Sequence, residues 1–109
     1  MMKMRVLPPV ILVVALLTDS SGATAYQFLG AGTVSCAAWT AARQHRTGWY
    51  DMAEWVLGFL SGVGYTGRAA PLQGWDAHAV AAWMDNYCRA NPLKNLDAAA
   101  EAFVGAHPG

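Results

Sequence analysis

Residues 55–64 read WVLGFLSGVG, an apolar stretch that three glycines interrupt. Large apolar residues recur at positions 52, 55, 56, 59, 60 and 63, which is the spacing of a stripe along one side of an α-helix. Gly58 and Gly62 fall one turn apart at the edge of this stripe, although glycine destabilises a helix interior by about 1 kcal/mol relative to alanine. The stretch therefore predicts a helix from about Asp51 to Gly64 or Gly67.

Helical spacing recurs in the rest of the chain, and the alternation that is typical of strands does not. A helix is predicted to begin after an N-cap at Thr33 or Ser35 and to end before Thr47-Gly48. A later helix is predicted to begin after Asp76. Its apolar side consists of Val80, Trp83, Met84, Tyr87 and Cys88.

The opposite side of that later helix carries charge. Asp85 and Arg89 are four residues apart, so we expect a surface ion pair between them. The last helix is predicted to begin at Asn91-Pro92, because asparagine caps well and proline suits the first helical position. It would end at Gly105 and bury Leu93, Leu96, Ala100, Phe103 and Val104. The predicted fold is all-α, a small bundle of four short helices.

The first 25 residues are organised like a secretory signal peptide. Two cations precede an apolar run from Val6 to Leu17, and small residues end the segment at Ala25. The run is shorter than the roughly 20 residues of a membrane-spanning helix. We therefore expect cleavage of residues 1–25 and a single secreted domain over 26–109, with no stable membrane insertion.

Charge and cysteine content narrow the class of protein. Residues 26–109 carry five basic and six acidic side chains, which gives no electrostatic case for a nucleic-acid partner. Five tryptophans and few charges exclude a disordered chain. Cys36 and Cys88 are the only cysteines, and in an exported protein such a pair usually forms a disulfide. This disulfide would join the first predicted helix to the third.

No arrangement of catalytic or metal-binding residues can be assembled from the sequence. Ser61 lies inside a helical pattern and not in a nucleophile turn between strand and helix. His45, His78 and His107 share no i, i+4 relation and are expected to face solvent. The glycines lie within a helical pattern and not in a phosphate-binding turn. We predict no enzyme activity, no cofactor and no metal.

The groove beside Gly58 and Gly62 is the candidate binding surface. A neighbouring helix, or a large ring such as Trp83, can pack closely there. Either the bundle covers this groove itself, or part of the apolar side faces outward for self-association or client binding. The candidate surface comprises Trp55, Gly58, Phe59, Gly62, Val63 and Trp83.

Residues 87–96, YCRANPLKNL, resemble the segment that closes the Hde-type family of periplasmic acid-stress chaperones. In that family a helix ends in Tyr-Cys, Asn-Pro forms the helix junction, and Lys-Asn-Leu opens the last helix. The resemblance implies that Cys36 and Cys88 form the family's disulfide. It also implies a non-enzymatic, ATP-independent chaperone, a homodimer at neutral pH, that binds unfolding periplasmic proteins in strong acid. This chain carries fewer charges than the known chaperones.

Residues 58–62, GFLSG, resemble the glycine-aromatic-aliphatic-x-glycine element of the Rap-type immunity proteins. Those proteins are also small, exported, helical and disulfide-bonded, and they neutralise type VI secretion effectors. This chain lacks their usual further cysteine pair. A third alternative is a structural or signalling domain that shares only the scaffold. Both resemblances imply a protein partner and no catalysis.

Overall fold

The computed structural model describes residues 26–109, so the predicted signal peptide at 1–25 lies outside the described residues. A short 3-10 helix at Gly30–Thr33 precedes four α-helices: α1 (Cys36–His45), α2 (Trp49–Tyr65), α3 (Ala77–Ala90) and α4 (Leu96–Ala106). Between residues 26 and 109 there is no strand, only an isolated antiparallel bridge between Ser35 and Asn95. The predicted all-α, four-helix bundle is confirmed.

The starts of α1 and α3 follow from local capping. Ser35 Oγ accepts a hydrogen bond of 3.1 Å from the Ala38 N–H, and Asp76 Oδ1 accepts one of 2.8 Å from the Ala79 N–H. Each cap satisfies one of the backbone donors that a helix start leaves without an intrahelical partner. Both helices therefore begin where the sequence predicts.

The turn between α1 and α2 is tight, and α2 begins two residues before the predicted Asp51. Arg46 ends α1 with φ 57°, and Gly48 precedes α2 with φ 77°. Glycine adopts this left-handed backbone conformation at little cost, so it suits the second position. The earlier start brings the Trp49 ring to 6.4 Å from the ring of Trp39, measured between centroids.

The prediction for the start of α4 is wrong by four residues. Its N-cap is Asn95 and not Asn91. Asn91 instead ends α3, where its Nδ2 donates a hydrogen bond of 2.9 Å to the Tyr87 carbonyl. Leu93, predicted to be buried, is 96% exposed in the connecting turn. The far end differs by one residue, because α4 continues to Ala106.

Contacts with α1 explain why residues 91–95 are not helical. The carbonyls of Lys94 and Pro92 accept hydrogen bonds from the N–H groups of Cys36 and Ala37, at 2.7 and 3.1 Å. Those N–H groups belong to the first turn of α1 and have no partner within that helix. A helix that began at Pro92 would direct these carbonyls along its own axis, and the two donors would lose their acceptors.

The four helices enclose one apolar core. α1 packs mainly on α3, whereas α2 packs mainly on α4 and on the 3-10 helix. The buried residues are Cys36, Trp39, Ala53, Val56, Leu60, Val80, Ala81, Met84, Cys88, Leu96, Ala99, Ala100 and Phe103. None of the helices between residues 26 and 109 has the length and apolar character needed to cross a membrane.

The predicted disulfide between Cys36 and Cys88 is present. It joins the first turn of α1 to the last turn of α3, with 4.7 Å between the Cα atoms. The two cysteines are 52 residues apart, and a loop of that length is stabilised by about 4 kcal/mol in the chain-entropy model. For a domain of this size, that is a large share of the total stability.

Candidate functional site

Gly58 and Gly62 lie on the exposed side of α2. A Cβ atom built on either glycine meets no atom of the described chain within 4 Å, apart from its chain neighbours and the nearby backbone of α2 itself. No neighbouring helix of residues 26–109, and no large ring, therefore packs in the groove that the two glycines leave. Trp83, the ring suggested by the sequence, instead packs edge-on against Phe103 of α4, with 5.1 Å between the ring centroids.

The aromatic part of the α2 stripe is covered by the residues that precede α1, which we call the N-terminal segment (residues 26–34). Trp55 and Phe59 stack on each other at 5.7 Å between ring centroids. The Phe28 ring lies edge-on to both of them, at 6.0 and 5.8 Å. Trp55 Nε1 also donates a hydrogen bond of 2.8 Å to the Leu29 carbonyl. These contacts hold the segment across α2.

Gly32 permits the close approach of this segment to α2. It is buried beneath the indole of Trp55, and a Cβ atom added to it would overlap the six-membered part of that ring. Only glycine leaves space for a rigid ring at this distance. The sequence pattern of residues 26–34 does not predict this contact of Gly32, because the segment has neither helical nor strand periodicity.

The six residues of the candidate surface do not form one patch. Gly58 and Gly62 are exposed, whereas Trp55 and Phe59 are half-buried under the N-terminal segment. Val63 is also half-buried on α2, and Trp83 belongs to α3. The six residues belong to two helices, and they do not form one solvent-exposed surface.

A polar cluster, which the sequence analysis missed, joins α1 to α3. We call it the Asp85 cluster, and it consists of Trp39, Arg43 and Asp85. Asp85 Oδ1 accepts hydrogen bonds from Trp39 Nε1 and Arg43 Nε, both at 2.9 Å, and Oδ2 accepts one from Arg43 Nη2 at 2.7 Å. The Arg43–Asp85 contact is a two-point ion pair, the stronger geometry for this kind of contact.

The predicted pair between Asp85 and Arg89 is wrong. Asp85 pairs with Arg43 across the helix interface, and Arg89 Nη2 donates a hydrogen bond of 2.5 Å to Asn86 Oδ1. The reason is geometric. The fork of Arg43 faces both carboxylate oxygens from α1, whereas a neighbour on the same helix offers only a solvent-screened contact.

The surroundings of Asp85 favour its ionised form. Burial disfavours the charge, but the hydrogen bonds from Arg43 and Trp39 and the charges of Arg43 and Arg89 outweigh it, so the pKa of Asp85 lies below its usual value. The hydrogen bond to Asp85 likewise raises the pKa of Arg43. The guanidinium of Arg43 also lies over the Trp49 ring, 4.5 Å from its centroid.

Beside the Asp85 cluster, a cleft of about 730 Å³ opens between α1 and α3. Three arginines, one carboxylate, one indole, two amides, one hydroxyl and one methyl group line it. These residues are Arg43, Arg46, Arg89, Asp85, Trp49, Gln44, Asn86, Thr40 and Ala82. The cleft is thus rich in hydrogen-bond donors, unlike the surface of α2 around Gly58 and Gly62.

Within residues 26–109, no group of three or more His, Cys, Asp or Glu side chains is placed to hold a metal ion. His45 and His78 are exposed, as predicted. His107 differs from the prediction, because it is half-buried after α4 with its ring 4.5 Å from Trp75 and 4.2 Å from Phe103. Its Nδ1 lies 3.0 Å from the Phe103 carbonyl.

No protein-family model, curated protein or solved structure matches this chain. The Hde-type and Rap-type resemblances therefore remain predictions that rest on residues 87–96 and 58–62.

Proposed function

We propose that this protein is an exported, non-enzymatic chaperone that binds unfolding proteins in strong acid. The observation that carries the proposal is the position of the Asp85 cluster. It joins the same two helices as the Cys36–Cys88 disulfide, so acid removes one of their two links and leaves the other. The resemblance of residues 87–96 to the Hde-type chaperones agrees with this activity.

The pH at which the Asp85 cluster weakens follows from the sign of its pKa shift. The pKa of Asp85 is lower in the folded chain than in the unfolded chain, where it is about 3.9. The carboxylate therefore stabilises the fold at neutral pH, and this contribution is lost as the pH falls below about 4 and through the lower folded value. Strong acid is the condition in which α1 and α3 lose their ionic contact.

Opening would release apolar side chains while the disulfide keeps α1 and α3 joined. Trp55 and Phe59 are held under the N-terminal segment by ring contacts and a single indole hydrogen bond. Once uncovered, they offer a broad aromatic surface for unfolding proteins. The exposed side of α2 around Gly58 and Gly62 is the proposed contact with a second copy at neutral pH.

The test measures protection of an aggregation-prone protein by the oxidised chain. The chain is expressed in a bacterium with residues 1–25 included and is purified from the periplasm. We expect suppression of aggregation at about pH 2–3 and none at pH 7, because the ionic contact of Asp85 with Arg43 is lost only in strong acid. Asp85→Asn should move the onset to higher pH, whereas Asp76→Asn should not, because asparagine also caps a helix.

Several outcomes would contradict parts of the proposal. Absence of suppression at stoichiometric excess in acid would reject the chaperone activity. Tight binding of a single type VI effector at neutral pH, without any acid-dependent capture, would favour the Rap-type immunity alternative. A purified chain that does not begin at Tyr26 would reject the predicted cleavage site, and sedimentation at pH 7 decides between a monomer and a homodimer.

A further inference from the structure

We propose that the cleft between α1 and α3 is a binding site for a small dianion, either a dicarboxylate or a phosphate ester. This proposal does not rest on the chaperone activity. It rests on three arginines that line an open cleft of about 730 Å³, on the absence of acidic partners for two of them, Arg46 and Arg89, and on the backbone conformation of Arg46. The cleft is open to solvent, and its volume has room for a small organic ligand.

The charges of the cleft are unbalanced. Residues 26–109 contain five Lys and Arg side chains, and three of them, Arg43, Arg46 and Arg89, line this one cavity. Asp85 is the one acidic residue among the lining residues, and Arg43 and Trp39 already engage both of its oxygens. Within the described chain, neither Arg46 nor Arg89 forms an ion pair. The cleft thus carries two uncompensated positive charges in a chain whose net charge is close to zero.

The backbone of Arg46 argues for a role of its side chain. Arg46 is the one residue other than glycine that has a positive φ, 57°, among residues 26–109. At the end of a helix this conformation favours glycine or asparagine, because a Cβ atom makes it less stable. Local strain of this kind concentrates at functional sites. A glycine would fit the turn better than arginine and would leave the cleft with one cation fewer.

The arginines of the cleft indicate the charge of the ligand. Each guanidinium can donate two parallel hydrogen bonds to a carboxylate or phosphate group. Arg46 and Arg89 together therefore favour a ligand with two negative charges. Two hydrogen bonds to Asp85 and a contact with the Trp49 ring hold the Arg43 side chain in one position. This side chain therefore does not need to move when the ligand binds.

The experiment titrates the oxidised, full-chain product with inorganic phosphate, phenyl phosphate and succinate in separate calorimetric titrations at pH 7.5, a slightly alkaline value far from the acid range of the proposed chaperone. Sodium chloride at matched ionic strength is the blank. We expect saturable binding of at least one probe, with a Kd of about 1 mM or below. Preference for the two phosphates or for succinate identifies the anionic group.

Three variants locate the site. Arg46→Gly and Arg89→Gln should each weaken binding about tenfold, because each removes a two-point contact. Arg46→Gly should leave the melting temperature unchanged or raised, which separates lost binding from lost folding. Arg68→Gln is the matched control, because Arg68 is exposed and does not line the cleft, and it should bind like the wild type.

Two results would overturn the proposal. One is the absence of saturable heat for all three probes. The other is equal weakening by Arg68→Gln and Arg46→Gly, which would mean that the anions bind the chain through general charge and not in the cleft.

Discussion

The α1–α3 pair and the α2–α4 pair are held together by different interactions. A disulfide, a two-point ion pair and an indole hydrogen bond join α1 to α3. α2 and α4 meet through apolar side chains, and the N-terminal segment covers α2 with aromatic contacts. Redox state and pH therefore act on the first pair, whereas packing volume governs the second.

This difference agrees with the proposed acid opening, in which the disulfide keeps α1 joined to α3. Covalent and ionic links have defined chemical triggers, and the two links between α1 and α3 respond to different ones, reduction and acid. Apolar contacts have no such trigger, but a separation of the helices would expose a large apolar surface. Of the three predictions below, two perturb the contacts between α1 and α3, and one perturbs the contact of the N-terminal segment with α2.

Reduction of the disulfide should have the largest effect, and it acts on the α1–α3 pair. We expect the free energy of unfolding to fall by about 4 kcal/mol, because the unfolded chain gains the entropy of an open loop. Urea denaturation with and without dithiothreitol measures the loss. The double variant Cys36→Ala/Cys88→Ala should match the reduced protein and should not respond to dithiothreitol. A loss below about 1 kcal/mol would show that the ionic and apolar contacts hold α1 on α3 unaided.

Gly32→Ala should have the next largest effect, and it acts on the cover of α2. The added methyl group would overlap the Trp55 ring, so we expect a loss of about 2 kcal/mol. Gly64→Ala is the matched control, because Gly64 also lies in α2 and its added methyl group meets nothing within 4 Å. It should raise the free energy of unfolding by about 0.5–1 kcal/mol. Equal effects of the two variants in chemical denaturation would contradict the position of the N-terminal segment.

Asp85→Asn should have the smallest effect and should depend on pH. At pH 7 we expect a loss of about 1–2 kcal/mol, because the charge-assisted hydrogen bonds become neutral ones at a partly exposed site. The difference from the wild type should shrink as the pH falls below about 4, since the wild-type carboxylate is then protonated as well. Urea denaturation at a series of pH values measures this. A constant difference at all pH values would mean that the ionisation of Asp85 does not stabilise the α1–α3 pair.

Much of the fold could be predicted from the sequence, because it follows from short-range physics. Ser35 and Asp76 cap helices through donors three residues away, and the apolar stripes of α2 and α3 have the helical period. Two cysteines in the described chain allow only one intramolecular pairing. The candidate site was harder to predict from the sequence, because its residues come from separate helices.

The tertiary structure alone decided the features that depend on distant partners. α4 begins at Leu96 because carbonyls before it serve the start of α1. Asp85 pairs with Arg43, 42 positions away, and not with the neighbour one turn along its own helix. Gly32, and not Gly58 or Gly62, proved to be the glycine that a close approach requires. Periodicity and capping report only what a residue meets within about one turn, whereas these contacts exist only once the helices have packed.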